Sequence, residues 1–429
     1  MAFYSSGQVQ SLYIDPKSFI DGRRAVFELD GHHLAYLPNM RLLNIGIFGQ
    51  ATATARYNDL VGANAIIEAI HLYDGKTLLS EVRKYGQYRG FLLQNVKNSS
   101  AQSVSAMKNL NKLGFCQSHN LAGAERGKLA YGLNTVALNP DTTRDGAFGG
   151  IIDLREVLPL LNNMSHLPSD MFKNLRLEVI FNTNVARGIM NNNTHTIAGM
   201  KFPLLAVDVI DDESVVRKMN AGMSRGVQWL EIEHTQVSFP VGDATNNGQN
   251  VKQSINTKID AYKNKSVERL LQIKELVDAT PYIDTNVVQG FGAFSSPALQ
   301  NERIQYRLNG RNIIPDIGVQ GSAEQMSYVV DTFGDGFAFP GSNATDIDSG
   351  VVVSDSLGTD GTKYAGQLSY NAVYLGERVR DLQIEHERTQ MEDTTAFRPS
   401  TAALNVHYFA EVRKAIVPQK SGEYLVSYL

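Results

Sequence analysis

The feature that most constrains this chain is its punctuation. Short apolar runs of strand length recur from end to end, and clusters of glycine, asparagine and aspartate separate them. Gly and Asn tolerate positive φ, so such clusters mark turns. Many short strands with regular turns describe a sandwich or barrel rather than a helical bundle or a doubly wound sheet. Asn174–Asn182, NLRLEVIFN, is the cleanest example. Leu175, Leu177, Val179 and Phe181 alternate with Arg176, Glu178 and Ile180, which predicts a strand with one buried face. Asp74-Gly75, after the β-prone Asn64–Tyr73, predicts a hairpin turn.

The chain has 429 residues, too many for one ordinary core, and two domains of roughly 200 residues each are expected. The polar, glycine-bounded stretch Asp211–Gly226 lies near the middle and is the expected linker. The divisions are an N-terminal arm 1–25, a first domain 26–222 and a second 223–429. Helices are expected at Leu79–Leu113, at Glu324–Thr332 and most clearly at Ser266–Ala279, where Val267, Leu270, Leu271, Ile273, Leu276 and Val277 fall near helical period. Strands are expected at Arg24–Leu29, Leu42–Phe48, Lys128–Leu138, Phe202–Ile210, Gln228–Phe239, Asn301–Leu308, Asn371–Leu375, Leu382–Arg388, Leu404–Lys414 and the tail Tyr424–Leu429. Gly334–Gly366 reads as a long exposed loop.

Composition narrows function. A net charge of −4 gives no general attraction for a polyanion, and Tyr and Phe do not interleave with basic clusters. Sequence-specific nucleic-acid binding is therefore not expected. The single cysteine, Cys116, rules out an intrachain disulfide framework. With no signal-peptide pattern in MAFYSSGQVQ, this points to synthesis in a reducing cytoplasm or nucleus. The sequons at Asn98, Asn163, Asn192, Asn264 and Asn343 then read as Asn-rich turns.

Each match to a chemical motif fails in its context. Gly222-Met223-Ser224-Arg225-Gly226 has the G-x-S-x-G spacing, but a nucleophile elbow needs a strand before the serine and a helix after it. Here a charged segment precedes Ser224 and a strand follows. Gly75-Lys76-Thr77 ends like a phosphate loop, yet Ile70 stands where the first glycine belongs. Asp243–Gly248 begins like a calcium loop, but Ser254 replaces the closing acid. Asp346 and Asp348 sit in a loop, where a cation would bind only adventitiously. His32 and His33 are adjacent, no H-x-H occurs, and His195, His234, His386 and His407 are scattered. Trp229 reads as core or interface. The expectation is no catalytic residue, no cofactor-binding residue, no metal ligand and no cofactor.

Four stretches carry a resemblance. Asp59–Gly75 (DLVGANAIIEAIHLYDG) leads a small-residue segment into a strand and an Asp-Gly turn. Gly150–Phe181 joins an apolar helical segment, a linker and an alternating strand. Leu204–Trp229 contains VDVIDDESVVRKM, and Leu404–Ile416 reads LNVHYFAEVRKAI. In order and spacing these resemble the double jelly-roll major capsid proteins of the adenovirus-like and tectivirus-like lineage, nearest in style to those of polinton-like viruses and virophages. The long tower loops of the larger members are absent.

The resemblance implies a mainly β fold of two tandem eight-stranded jelly-roll barrels with a few flanking helices. It implies a non-enzymatic major capsid protein that forms a homotrimer of pseudo-hexameric outline and tiles an icosahedral virion shell through trimer–trimer contacts. Minor capsid and penton proteins are the implied partners, and contact with an internal membrane is left open. The extended segment Met1–Phe19 is the expected tie to neighbours or inner components. The alternatives are a carbohydrate-binding β-sandwich of tail-fibre or lectin type and a hydrolase using Ser224.

Overall fold

In the computed structural model the described residues are 8–29, 31–46, 48–51, 56–57, 64, 66–92, 150–182, 189–190, 197–223, 226–240, 251–277, 302–315, 317–333, 370–390, 403–419 and 423–429. The sequence readings at Lys128–Leu138, Asp243–Gly248, Gly334–Gly366 and residues 93–113 lie outside them, as do Cys116, His195, Ser224, Asp346 and Asp348.

The first half contributes β1 (Gln10–Ile14), β2 (Ser18–Ile20), β3 (Arg24–Leu29), β4 (Ala35–Tyr36), β5 (Arg41–Ile45), β6 (Phe48–Ala51), β7 (Arg56–Tyr57), β8 (Ile67–Asp74) and β9 (Thr77–Arg83). Helix α1 (Tyr85–Phe91) follows. Then come β10 (Gly150–Asp153), α2 (Pro159–Asn163), β11 (Leu167–Pro168), β12 (Leu175–Phe181), β13 (Ile189–Met190), β14 (Ile197–Met200), β15 (Leu204–Ile210) and α3 (Glu213–Met223). The second half contributes β16 (Val227–Phe239), β17 (Val251–Lys258), β18 (Ser266–Leu276), β19 (Arg303–Leu308), β20 (Arg311–Asn312) and β21 (Val319–Gln320). It closes with α4 (Gly321–Phe333), β22 (Asn371–Arg378), β23 (Leu382–Gln390), β24 (Leu404–Pro418) and β25 (Tyr424–Tyr428).

Each half builds two main antiparallel sheets. In the first, β10-β5-β15-β4-β11, with β1 added on β15, faces β2-β3-β12-β8-β9. In the second, β16-β24-β18-β22, with β25 on β24, faces β17-β23-β19-β20, with β21 on β19. Neighbouring strands are distant in sequence, such as β3 and β8 on either side of β12, so the sheets close by long crossovers.

The strand at Leu175–Phe181 has the expected alternation, with all four odd-numbered residues buried. The hairpin at Asp74-Gly75 also forms, with Gly75 at φ 57°. Asp74 fixes it from outside by accepting from the Asn174 backbone N–H at 2.7 Å. Within the stretch read as an arm, β1 pairs with β15 from Gln10↔Val209 to Ile14↔Leu205, and β2 pairs with β3.

Three expectations are corrected. Ser266–Ala279, expected as the clearest helix, is strand β18 over Ser266–Leu276. This strand lies between β24 and β22 and is buried on both faces, so no polar alternation marks it. A register shift between Val267 and Arg269 moves the phase by one residue, which makes the apolar spacing look helical. In the stretch Leu79–Leu113, expected as helical, residues 77–83 are strand and only Tyr85–Phe91 is α-helix among the described residues. The expected linker Asp211–Gly226 is largely helix α3. Asp212 caps it, its carboxylate accepting from the backbone N–H of Ser214 at 2.9 Å and of Val215 at 3.2 Å. Val215, Val216, Met219 and Met223 form its buried stripe. At the exit Gly226 has φ 80°, and a Cβ there would stand 2.6 Å from the Ile416 carbonyl oxygen, so the turn into β16 requires glycine.

Candidate assembly unit and the seam between the barrels

The two longest strands, β16 and β24, pair without interruption from Val227↔Ile416 to Phe239↔Leu404. Their length lets one ladder serve two cores. On β24, Leu404, Val406, Tyr408, Ala410 and Val412 point into the core of the second barrel. Phe409 points the opposite way, into a cluster with Phe91 of α1, Ile232, Leu271, Ile273, Val329 and Tyr370. At the far end of the ladder Trp229 and Ile416 join the core of the first barrel, against which Tyr424 and Val426 of β25 also pack. The halves therefore share apolar surface along a continuous seam, and burying aromatic area there favours one fixed arrangement of the barrels.

Helix α1 supplies the first barrel's side of that seam. Phe91 lies 5.1 Å from Tyr370 and 5.2 Å from Phe333, and Tyr88 lies 5.2 Å from Phe409, measured between ring centroids. The last strand clamps from the other side. Tyr424 donates its hydroxyl to Asp74 at 2.7 Å and packs its tilted ring against Phe172 at 5.0 Å between centroids, so β25 grips the hairpin of the first barrel.

Polar groups cross the seam as matched pairs. Glu231 of β16 is fully buried and accepts from the Ser80 hydroxyl at 2.9 Å, the Glu81 backbone N–H at 3.0 Å and the Trp229 indole N–H at 2.7 Å. Burial pushes its carboxyl up to about 7, against Lys414 and those three donors. Glu275 of β18 accepts from Gln87 of α1 at 3.2 Å and from His407 Nε2 at 2.8 Å. His407 Nδ1 is then left to accept from His234 Nε2, 3.0 Å away. Burial, with His407, Lys84 and Arg83 adding to it, lowers the His234 imidazole to about 3.

A second polar network lies inside the second barrel. Glu302 accepts from Lys274 at 2.6 Å, from Gln325 at 2.8 Å and from His386 Nε2 at 2.5 Å. Gln272 lies 3.2 Å from His386 Nδ1 and accepts from the Tyr306 hydroxyl at 2.9 Å. Burial works against the Glu302 charge, but Lys274 and His386 hold its carboxyl well below the usual carboxylate range. These buried groups are paired with one another, as buried charges must be.

The scattered histidines thus come together in part. His234 and His407 meet at the seam, while His386 lies in the Glu302 network. Among the described residues no group of three or more His, Cys, Asp or Glu side chains is placed to hold a metal ion. Gly75-Lys76 is a hairpin loop and Trp229 is buried at the seam. The segment before position 224 is helix and the one after it is strand, the reverse of a nucleophile elbow. A cleft of about 570 Å³ opens beside the seam. Three carboxylates line it, and each faces a guanidinium: Glu156 with Arg89, Glu268 with Arg413, and Glu411 with Arg269.

The sequence pointed to Trp229 but not to Glu231, Glu275 or Glu302. A lone glutamate in a strand looks like a solvated residue. In WLEIEH, Glu231 shares a strand face with Trp229 and Glu233 and alternates with Leu230 and Ile232, which is the pattern of an ordinary half-solvated strand.

No protein-family model matches the sequence, and no curated protein matches it. Solved structures do. A chain of the Sputnik virophage matches with a TM-score of 0.58 at 11% identity, over 98% of this chain and 88% of that one. The mavirus major capsid protein matches with a TM-score of 0.56 at 9% identity, over 99% and 90%. A chain of the PBCV-1 virus capsid matches with a TM-score of 0.54 at 10% identity, over 98% and 96%. At these identities the agreement is one of fold, and it runs from one end of the chain to the other. The mainly β, two-barrel architecture expected from the sequence is the one the protein has: a double jelly roll of the kind found in virophage and large-virus capsid proteins.

Proposed function

We propose that this protein is a major capsid protein, the repeating unit of an icosahedral virion shell. The observation that carries the reading is the end-to-end agreement with capsid chains, which spans both barrels and the seam that joins them. A shell needs a unit whose two barrels keep a fixed angle, and the shared β16–β24 ladder with the α1 and β25 clamps supplies that rigidity. Function here is geometry rather than chemistry, and no turnover is assigned to the chain.

The division into an arm 1–25, a first barrel 26–222 and a second barrel 223–429 belongs to this proposal. Its support is that no described main sheet takes strands from both halves. Three copies form a trimer whose six barrels give a pseudo-hexagonal outline, and trimers then tile through lateral contacts. Minor capsid and penton proteins complete the shell, and synthesis takes place in the host cytoplasm or nucleus. The carbohydrate-binding alternative draws no support from the structures the fold matches.

Light scattering on the purified full-length chain tests the reading. A trimer of the 47.3 kDa chain that converts to larger particles on concentration is expected. A stable monomer that binds glycans on an array would favour the alternative.

A further inference from the structure

We propose that Glu231 is a proton-operated tie between the two barrels, holding the seam closed in its neutral form and relaxing it when ionised.

Glu231 belongs to the second barrel, yet both partners of its Oε1, the Ser80 hydroxyl and the Glu81 backbone N–H, belong to β9 of the first. Oε2 takes the Trp229 indole N–H. The side chain is fully buried, and among the described residues the cation that faces it is Lys414 of β24, whose Nζ lies 3.9 Å from Oε2, beyond hydrogen-bond reach. The other charged groups near it are already engaged. Glu81 points its carboxylate to Arg83 at 2.9 Å and to His71 at 3.4 Å. Glu233 holds Lys265 at 2.6 Å, and the Tyr428 ring of β25 covers both Lys265 and Lys414. The residues of α2, which also packs against β16, are uncharged.

A neutral carboxyl satisfies this set of partners. With the proton on Oε1, the acid donates to Ser80, whose hydroxyl turns to accept. Oε1 still receives the Glu81 N–H, and Oε2, now the carbonyl oxygen, still receives Trp229. Ionisation keeps the same neighbours but leaves a buried charge that a cation 3.9 Å away only partly compensates. Opening the seam hydrates that charge. The folded carboxyl sits at about 7 against an ordinary value of 4.5, so the closed seam binds its proton more tightly than the open one. By linkage the stabilisation is fully present below about 4.5 and is lost as pH rises to about 7. The ratio of open to closed seam rises about tenfold per pH unit across that window and is flat above it. The sequence alone hides this device, because Ser80 and Glu231 are 151 residues apart.

Trp229 makes the tie observable, because it is the single tryptophan of the chain and it donates to the titrating carboxyl. Fluorescence of the full-length protein titrated from pH 4 to 9 is expected to show an inflection near 7 that is absent in Glu231→Gln. Should that variant fail to fold, Lys414→Met, which removes the facing cation, is expected to move the inflection to higher pH. Hydrogen exchange of the Glu81 amide reads the seam itself. From pH 5 to 7 its protection in the wild type is expected to fall about fortyfold relative to Glu231→Gln. A wild-type titration without an inflection between pH 5 and 8.5, the same inflection in Glu231→Gln, or a constant protection ratio overturns the proposal.

Discussion

Strands β12 and β18 occupy comparable central positions, one in each barrel, and they are built on different rules. β12 has one buried face and one half-buried face, so its sequence alternates residue by residue. β18 buries both faces. Leu270 faces the second barrel's own core, while Leu271 and Ile273 face α1, α4 and the seam. The first barrel's strand thus serves one core, whereas the second barrel's strands serve their own core and the contact with their neighbour. The polar residues of β18 follow the same division: Gln272 and Lys274 reach into the Glu302 network, and Glu275 reaches α1. A strand with two interiors needs internal partners for every polar group it carries.

The largest expected effect breaks that internal pairing. Lys274→Met removes the ammonium from a pair in which both side chains are 2% exposed or less, leaving Glu302 with only neutral donors. A loss of about 3–5 kcal/mol in urea unfolding is expected. A combined Lys274→Met, Glu302→Leu variant should lose less than the single one, since no charge is then stranded.

Next comes the seam face against the single-core strand. Phe409→Ala should cost about 3–5 kcal/mol, and Leu177→Ala on β12 about 2–5 kcal/mol. The two differ in kind. Phe409 joins the barrels, so its loss should split calorimetric unfolding into two transitions, whereas Leu177→Ala should not. A single sharp transition in Phe409→Ala would break the comparison.

Protonation of His234 gives a graded effect. Its imidazole is held near 3 in the folded protein against an ordinary 6.5. A lowered histidine contributes stability above about 6.5 that is lost as pH falls toward 3. The wild type should therefore lose stability relative to His234→Asn between pH 6.5 and 4, read as the difference in urea midpoints. This acid limb runs opposite to the Glu231 effect, so the two variants separate them. The smallest effect is expected on α3, where the Arg217–Glu213 pair is 79% and 78% exposed. Arg217→Ala should change stability by less than about 0.5 kcal/mol.

What the sequence showed follows the same divide. Strands with one solvated face, such as Leu175–Phe181, and turns with a dedicated residue, such as Asp74-Gly75, were legible because one local rule decides them. Ser266–Leu276 misread as helix because burial on both faces erased alternation and a bulge restored an apparent helical spacing. α3 hid behind its charges, although Asp212 and the Val215–Met219 stripe announced a capped helix. Of the seam, Trp229 was legible as a core or interface residue and its polar partners were not, because they are brought together by the docking of one barrel on the other. Glu275 and Gln87, for example, are 188 residues apart.

Electron microscopy of the purified full-length protein tests the central claim most directly. Trimers of pseudo-hexagonal outline about 70–80 Å across, the width expected of six barrels of ordinary domain size, are expected to pack into hexagonal arrays or closed shells. A field of uniform monomers that forms no ordered assembly at any concentration would contradict it.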